Sequence, residues 1–102
     1  MPDITGWSET ASDTNAETTA TKAANPNRQH IIYAVSASFS TTVTALLQIK
    51  DGSTVIWQDY VYDKVLLEFP RGLSITRGNA ASAVLAASGG PVQKVNLHGV
   101  SK

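Results

Sequence analysis

The sequence contains no cysteine, so it has no disulfide bonds, zinc–thiolate sites or thiol chemistry. Charge is also scarce. Charged residues make up 16% of the 102 residues, and eight acidic and eight basic side chains give a formal net charge of +0. A neutral chain offers no electrostatic basis for binding nucleic acid. We therefore expect stability to come from packing or from assembly with other chains.

Membrane and targeting features are missing as well. No apolar run approaches the roughly 18 residues that a membrane span requires. The first residues lack the basic and apolar regions of a signal peptide, and there is no Asn-X-Ser/Thr glycosylation acceptor. We expect a chain that is made in a cytosol and has no membrane partner.

Short apolar runs are what the sequence does contain, and turn-forming Gly, Pro and Asn separate them every 8–12 residues. About eight such runs alternate apolar and polar residues, and no segment predicts a convincing helix. The Ala-rich run 80–88 has helical propensity, but its flanking turns favour a strand. The pattern predicts one all-β domain over residues 16–102, an antiparallel β-sandwich or a small barrel, with two packed sheets favoured.

Residues 42–61 predict a β-hairpin. An Asp51-Gly52 turn lies between two runs rich in branched and aromatic residues, which is the strongest short-range hairpin signal. Leu46 interrupts the polar face of the first arm. The opposite face of that arm is apolar and consists of Val43, Ala45, Leu47 and Ile49.

The cross-strand partner of Leu46 depends on the turn. A two-residue loop pairs Leu46 with Trp57, and a three-residue loop shifts the pairing by one residue. We favour the three-residue loop, because it places the apolar residues of the second arm beside the apolar face of the first. The second face of the hairpin then still carries Leu46, Ile56 and Tyr60, which indicates a partner.

Residues 1–15 predict an extended N-terminal arm. Small polar and acidic residues dominate this segment, and its large apolar residues are Ile4 and Trp7. We predict that these two side chains anchor the arm to a neighbouring molecule. The alternative, that the segment folds back on its own domain, stays open.

No constellation of residues predicts catalysis. His30 and His98 lack a pattern of nearby carboxylates, so we expect two surface histidines at strand ends and no metal site. The carboxylates Asp51, Asp59, Asp63 and Glu68 are explained by a turn and by solvated strand edges. We expect no enzyme activity, no cofactor and no small-molecule substrate.

The hairpin carries more large apolar and aromatic side chains than one core can use. Trp and Tyr are enriched at interfaces because they provide large contact areas at low entropic cost. We predict a subunit interface that contains Leu46, Ile56, Trp57 and Tyr60. A simple two-layer core with a covered outer face, and carbohydrate binding by exposed aromatic residues, are the alternatives.

Several runs of the sequence resemble a family of small phage structural proteins. The similarity covers residues 17–100 and lies in the strand and turn segments 24–30, 34–40, 47–57, 69–73, 78–90 and 95–99. It includes Leu-Gln-Ile-Lys-Asp-Gly-Ser-Thr-Val-Ile-Trp, Phe-Pro-Arg-Gly-Leu and Val-Asn-Leu-His-Gly. The resemblance implies a jelly-roll-like sandwich on a virion, as a capsid decoration (cement) protein or as a fibre or tail tip, often in trimers.

From these features we expect a non-enzymatic virion structural protein that decorates and stabilises an assembled phage head. Its partners would be the major capsid protein and itself, as a homotrimer on the capsid surface. Ile4 and Trp7 of the arm would then contact the capsid or a sister subunit. The alternative is a receptor- or glycan-binding tip module of a fibre or tail, in which Trp57 or Tyr60 stacks on sugars.

Overall fold

The computed structural model describes residues 4–102, and these residues form eight β-strands and no helix. No described helix could therefore cross a membrane. The prediction of an all-β sandwich of about eight strands is confirmed. The strands are β1 Thr5–Thr14, β2 Thr18–Lys22, β3 His30–Phe39, β4 Thr44–Asp51, β5 Thr54–Tyr62, β6 Lys64–Ser74, β7 Ala81–Leu85 and β8 Val92–Ser101.

The strands form two antiparallel four-stranded sheets with a jelly-roll order. The first sheet has the order β1-β8-β3-β6, and the second has the order β2-β7-β4-β5. Strand β1 pairs with β8, β2 with β7, β3 with β6 and β4 with β5. The chain is thus a long antiparallel hairpin rolled upon itself, and the β3–β8 and β4–β7 ladders close the roll.

The core lies between the two sheets, where the inward-facing residues of each strand meet. Alternation of side chains along a strand directs Leu47 and Ile49 of β4 and Val95 and Leu97 of β8 into this space, and all four are fully buried. Within the Ala-rich run 80–88, residues Ala81–Leu85 form the predicted strand, and every residue of this strand is buried. Small side chains at Ala81 and Ala83 let the sheets approach closely there.

The N-terminal segment differs from the predicted arm. Residues Thr5–Thr14 are β1, an edge strand that pairs along its whole length with β8 of the same chain. The alternative of a segment that folds back on its own domain describes these residues. Local patterning was too weak to reveal the strand, since its inward positions mix Trp7, Glu9 and Ala11. Residues 1–3 lie outside the described part of the chain.

Strand β6 continues through residues 69–72, although this segment contains the turn-forming residues Pro70 and Gly72. The strand has an irregularity between its two paired stretches. Gly72 has φ of 76° and allows the chain to rejoin β3 after this bulge. Proline at position 70 is tolerated because β6 is an edge strand.

Both predicted registers of the β4–β5 hairpin are wrong. Leu46 pairs with Tyr60, which neither predicted loop gives. The loop is Gly52-Ser53. A β-bulge leaves Ile56 unpaired between the pairs Lys50–Val55 and Ile49–Trp57, so all pairs beyond it are shifted by one residue. A bulge adds a residue to one strand, so the turn sequence alone could not determine the pairing.

Candidate interaction surface

Leu46, Tyr60 and Tyr62 form an apolar surface on the outward side of the second sheet, which we call the tyrosine face. Tyr60 lies opposite Leu46, and Tyr62 lies opposite Thr44 one pair farther along the same side. Tyr60 is 72% exposed and Tyr62 is 64% exposed, whereas Leu46 is half-buried. Adjacent large aromatic side chains that are exposed to this extent are a common feature of binding surfaces.

A polar pair borders the tyrosine face toward the hairpin turn. The Gln48 side-chain amide donates a 2.9 Å hydrogen bond to Gln58 Oε1 across the two strands. The exposed aromatic side chains therefore lie in the half of the hairpin that is far from the turn, whereas the exposed Val55 and Ile56 lie on the turn side of this pair. An apolar centre with a hydrogen-bonded polar border is the usual composition of a protein interface.

Trp57 and Ile56 do not join this face. Trp57 is on the inward side opposite Ile49, half-buried and packed against the core. Ile56 lies at the bulge, unpaired in the β4–β5 register and 37% exposed. Of the four predicted interface residues, the structure thus brings together Leu46 and Tyr60. A role for any of them in a subunit interface stays a prediction.

The two predicted anchors of the N-terminal segment have different surroundings. Ile4 precedes β1 and is 69% exposed, so its side chain is free to meet another molecule. Trp7 is half-buried within its own chain, where it packs against the core, with its ring centroid 5.8 Å from that of His30 and from Lys22 Nζ. Contact of either residue with a capsid or a sister subunit stays a prediction.

A pocket of about 270 Å³ lies beside Trp7 at one end of the sandwich. Trp7 Nε1 is buried there without a hydrogen-bond acceptor, and the Arg28 guanidinium donates a 2.8 Å hydrogen bond to the Ser101 carbonyl oxygen. This hydrogen bond connects Arg28 to the last residue of β8 beside the pocket. The residues that line it are Thr5, Trp7, Lys22, Ala23, Ala24, Asn25, Arg28, His30 and Ser101.

His30 is buried, so the expectation of a surface histidine is wrong at this position. Its Nδ1 is 2.6 Å from Ser101 Oγ, and its Nε2 is 2.8 Å from the Ala23 carbonyl oxygen. Both ring nitrogens are therefore engaged in structural hydrogen bonds. His98 lies on the outward side of the same sheet, 2.8 Å from Ser8 Oγ, so the two histidines face opposite ways.

The described residues contain no group of three or more His, Asp or Glu side chains that could hold a metal ion. Asp51 illustrates how the carboxylates are used. Burial raises its pKa, but hydrogen bonds outweigh this effect, and the pKa lies below its ordinary value. The donors are the Thr76 hydroxyl at 2.7 Å, Asn79 Nδ2 at 2.9 Å and the Thr76 N–H at 3.0 Å. Asp51 thus connects the β4–β5 turn to the loop after β6.

Sequence reasoning missed Leu66, which is 62% exposed on the outward side of β6. The signal was the one that identified Leu46. Within the run Lys64–Phe69, alternation places Val65, Leu67 and Phe69 inward, and Leu66 is then a large apolar residue between the polar positions 64 and 68. Like the tyrosine face, Leu66 is close to the side where β5 and β6 form the free edges of the two sheets.

No model of a known protein family matches this chain, and no curated protein is similar to it in sequence.

Proposed function

We propose that this protein is a non-enzymatic structural component of a phage virion that decorates the assembled head. The observation that carries the proposal is the tyrosine face, where Tyr60 and Tyr62 are largely exposed beside Leu46 on a rigid sheet. The jelly-roll order of the strands fits the resemblance to small phage structural proteins, since viral capsid domains often use this architecture.

The mechanism would be binding without chemistry. Burial of the tyrosine face against a neighbouring copy would hold the chains in a homotrimer, and exposed Ile4 would extend the contact toward the capsid. A ligand that binds the assembled shell and not its dissociated subunits stabilises that shell by mass action. A domain that contributes only contacts needs neither a cofactor nor a small-molecule substrate.

Co-sedimentation with empty heads, built from the major capsid protein of the same virion, tests the proposal. The wild-type chain should pellet with the heads at a saturable ratio, and light scattering at low protein concentration should give the mass of three chains. Tyr60→Ser should lower both the oligomer mass and the amount bound. Thr10→Ser on the outward face of the first sheet is a matched control, and it should change neither quantity.

A receptor- or glycan-binding role predicts that the chain binds sugars and does not pellet with heads. Exposed tyrosines can stack on sugar rings, so a tip module would bind a glycan array and would lose that binding with Tyr60→Ser. A chain that binds glycans and fails to pellet with heads would replace the decoration proposal with this one. A monomeric chain that binds neither would refute both.

A further inference from the structure

The four edge strands of the sandwich differ in how they are protected from pairing with other chains. An edge strand exposes unpaired backbone N–H and C=O groups, and a charge at an inward-facing position discourages another strand from pairing there. Strand β1 carries Glu9 opposite Leu97, β2 carries Lys22 opposite Ala81, and β5 carries Asp59 opposite Leu47. Each of these three edges thus has a charge on the side that faces the core.

Strand β6 lacks this protection in its first half. Its inward-facing positions before the bulge are Val65, Leu67 and Phe69, all apolar and all half-buried. The paired stretch 64–68 follows β3 in an unbroken register, so no bulge interrupts this part of the strand. Pro70, which has no N–H, limits the pairing that a new strand could make to the residues before it.

The outward-facing side of the same stretch has a self-complementary charge pattern. Lys64, Leu66 and Glu68 alternate on this side, and all three are exposed. Lys64 and Glu68 are about 13 Å apart along the strand, at 3.3 Å per residue, so they cannot neutralise each other. In an antiparallel pair of two such strands centred on Leu66, however, each Lys64 lies opposite the Glu68 of the other copy.

We propose that the free edge of β6 pairs antiparallel with the β6 edge of a second copy of this chain, with Leu66 on the two-fold axis. In this register Leu66 faces Leu66, Val65 faces Leu67, and two Lys64–Glu68 pairs flank the centre. Directly opposite side chains in such a ladder are about 5 Å apart, close enough for apolar contact and ion pairing. The first sheets of the two copies become one continuous eight-stranded sheet.

This contact goes beyond the proposed function, because it requires no shell and uses a different surface from the tyrosine face. An isologous contact joins two chains and closes. If the tyrosine face forms trimers, the β6 edge therefore connects one trimer to the next.

Charge reversal tests the register. In Lys64→Glu both flanking pairs become Glu–Glu, and in Glu68→Lys both become Lys–Lys, so each single variant should self-associate at least about tenfold more weakly. The double variant restores two opposite-charge pairs and should recover wild-type association. Sedimentation equilibrium over a wide concentration range measures the weight-average mass, and circular dichroism verifies that each variant is folded.

Mixing the two single variants gives the sharpest result. In a mixed pair, the glutamate introduced at position 64 of one chain faces the lysine introduced at position 68 of the other. The unchanged Glu68 of the first chain faces the unchanged Lys64 of the second. The equimolar mixture should therefore associate like the wild type, although each variant alone does not. Lys94→Glu, on the outward face of central strand β8, and Glu17→Lys, in the β1–β2 connection, are matched charge controls that should retain association.

Three results would overturn the proposal. The first is a wild-type chain whose weight-average mass does not rise with concentration, together with single variants of the same mass. A constant wild-type mass alone could mean that the paired species is already complete at the lowest concentration. Single variants of unchanged mass show that no such pair is present. A double variant or a mixture that associates as weakly as the single variants would refute the two-fold register. Failure of these tests leaves head binding unaffected, so it is distinguishable from failure of the proposed function.

Discussion

Trp7 covers Gly99. The two residues lie directly opposite each other on β1 and β8, and a methyl group added at Gly99 would come within 2.6 Å of Trp7 Cζ2. The same group would overlap the Ile31 carbonyl oxygen of β3. The absence of a side chain at position 99 thus lets the indole close this end of the core.

Gly99→Ala should therefore destabilise the protein. The added methyl group cannot be accommodated without moving the backbone of β3 or the indole, which we expect to lower the free energy of unfolding by about 2 kcal/mol or more. Gly6→Ala is the matched control, because no atom lies within 4 Å of a methyl group added there. Urea denaturation of both variants gives the comparison, and equal stabilities would show that the contact over Gly99 is not tight.

His30→Leu should destabilise the fold by about 2–4 kcal/mol. The substitution leaves Ser101 Oγ and the Ala23 carbonyl oxygen without their buried partner. His98→Ala removes a half-buried histidine with a hydrogen-bond contact to Ser8 and should cost about 1 kcal/mol or less. Thermal and urea unfolding measure both effects, and a larger loss for His98→Ala would contradict the structural role assigned to His30.

Asp51 should make stability depend on pH in the acidic range. Its folded-state pKa lies below the ordinary value of 3.8, so the native state favours the ionised form. The resulting stabilisation is complete above about pH 4 and is lost as the pH falls through the lowered pKa. Asp51→Asn should lower stability at neutral pH, and its deficit relative to the wild type should shrink below about pH 4.

Urea midpoints at several pH values between neutrality and strong acid measure this difference. Asp13→Asn is a suitable control, since Asp13 accepts a hydrogen bond from the N–H of the next residue and does not connect two loops. A deficit for Asp51→Asn that is the same at every pH would mean that ionisation of Asp51 contributes nothing to stability.

Trp57→Ala and Tyr60→Ala should separate the core from the tyrosine face. Trp57 is packed against the core, so its removal should cost about 2–3 kcal/mol of unfolding free energy. Tyr60 is largely exposed, and its removal should change stability by no more than about 0.5 kcal/mol. Chemical denaturation at a protein concentration where the chain is monomeric measures both, so that loss of subunit contacts does not enter the comparison. A strongly destabilised Tyr60→Ala under these conditions would place that side chain in the fold and not at an interface.

Much of the sandwich could be predicted because alternation is a local property of each strand. The inward positions 45, 47 and 49 follow from the spacing of apolar residues alone, and all three are buried. The register of the hairpin could not be predicted in the same way. Pairing of Leu46 with Tyr60 depends on a bulge, which shifts every later pair of the ladder by one residue.

Part of the candidate surface was also visible in the sequence. Leu46 and Tyr60 stand out as large apolar residues on a polar face, and the structure places them opposite each other. The excess of aromatic side chains also predicts Trp57 at this interface, but in the observed register Trp57 lies opposite Ile49 on the inward side. Leu66 carries the same signal as Leu46, but its importance comes from its place on an edge strand, which no local pattern specifies.

By itself, the sequence determined the all-β class, the positions of most strands and the residues that fill the core, since these depend on periodicity and turn propensity over a few neighbours. Only the tertiary structure decided which strands became edges, that residues 5–14 joined the first sheet, and that His30 was buried. These outcomes depend on pairings between residues far apart in the chain, such as His30 with Ser101. Their free energy comes from closing the whole roll, so no single segment encodes them.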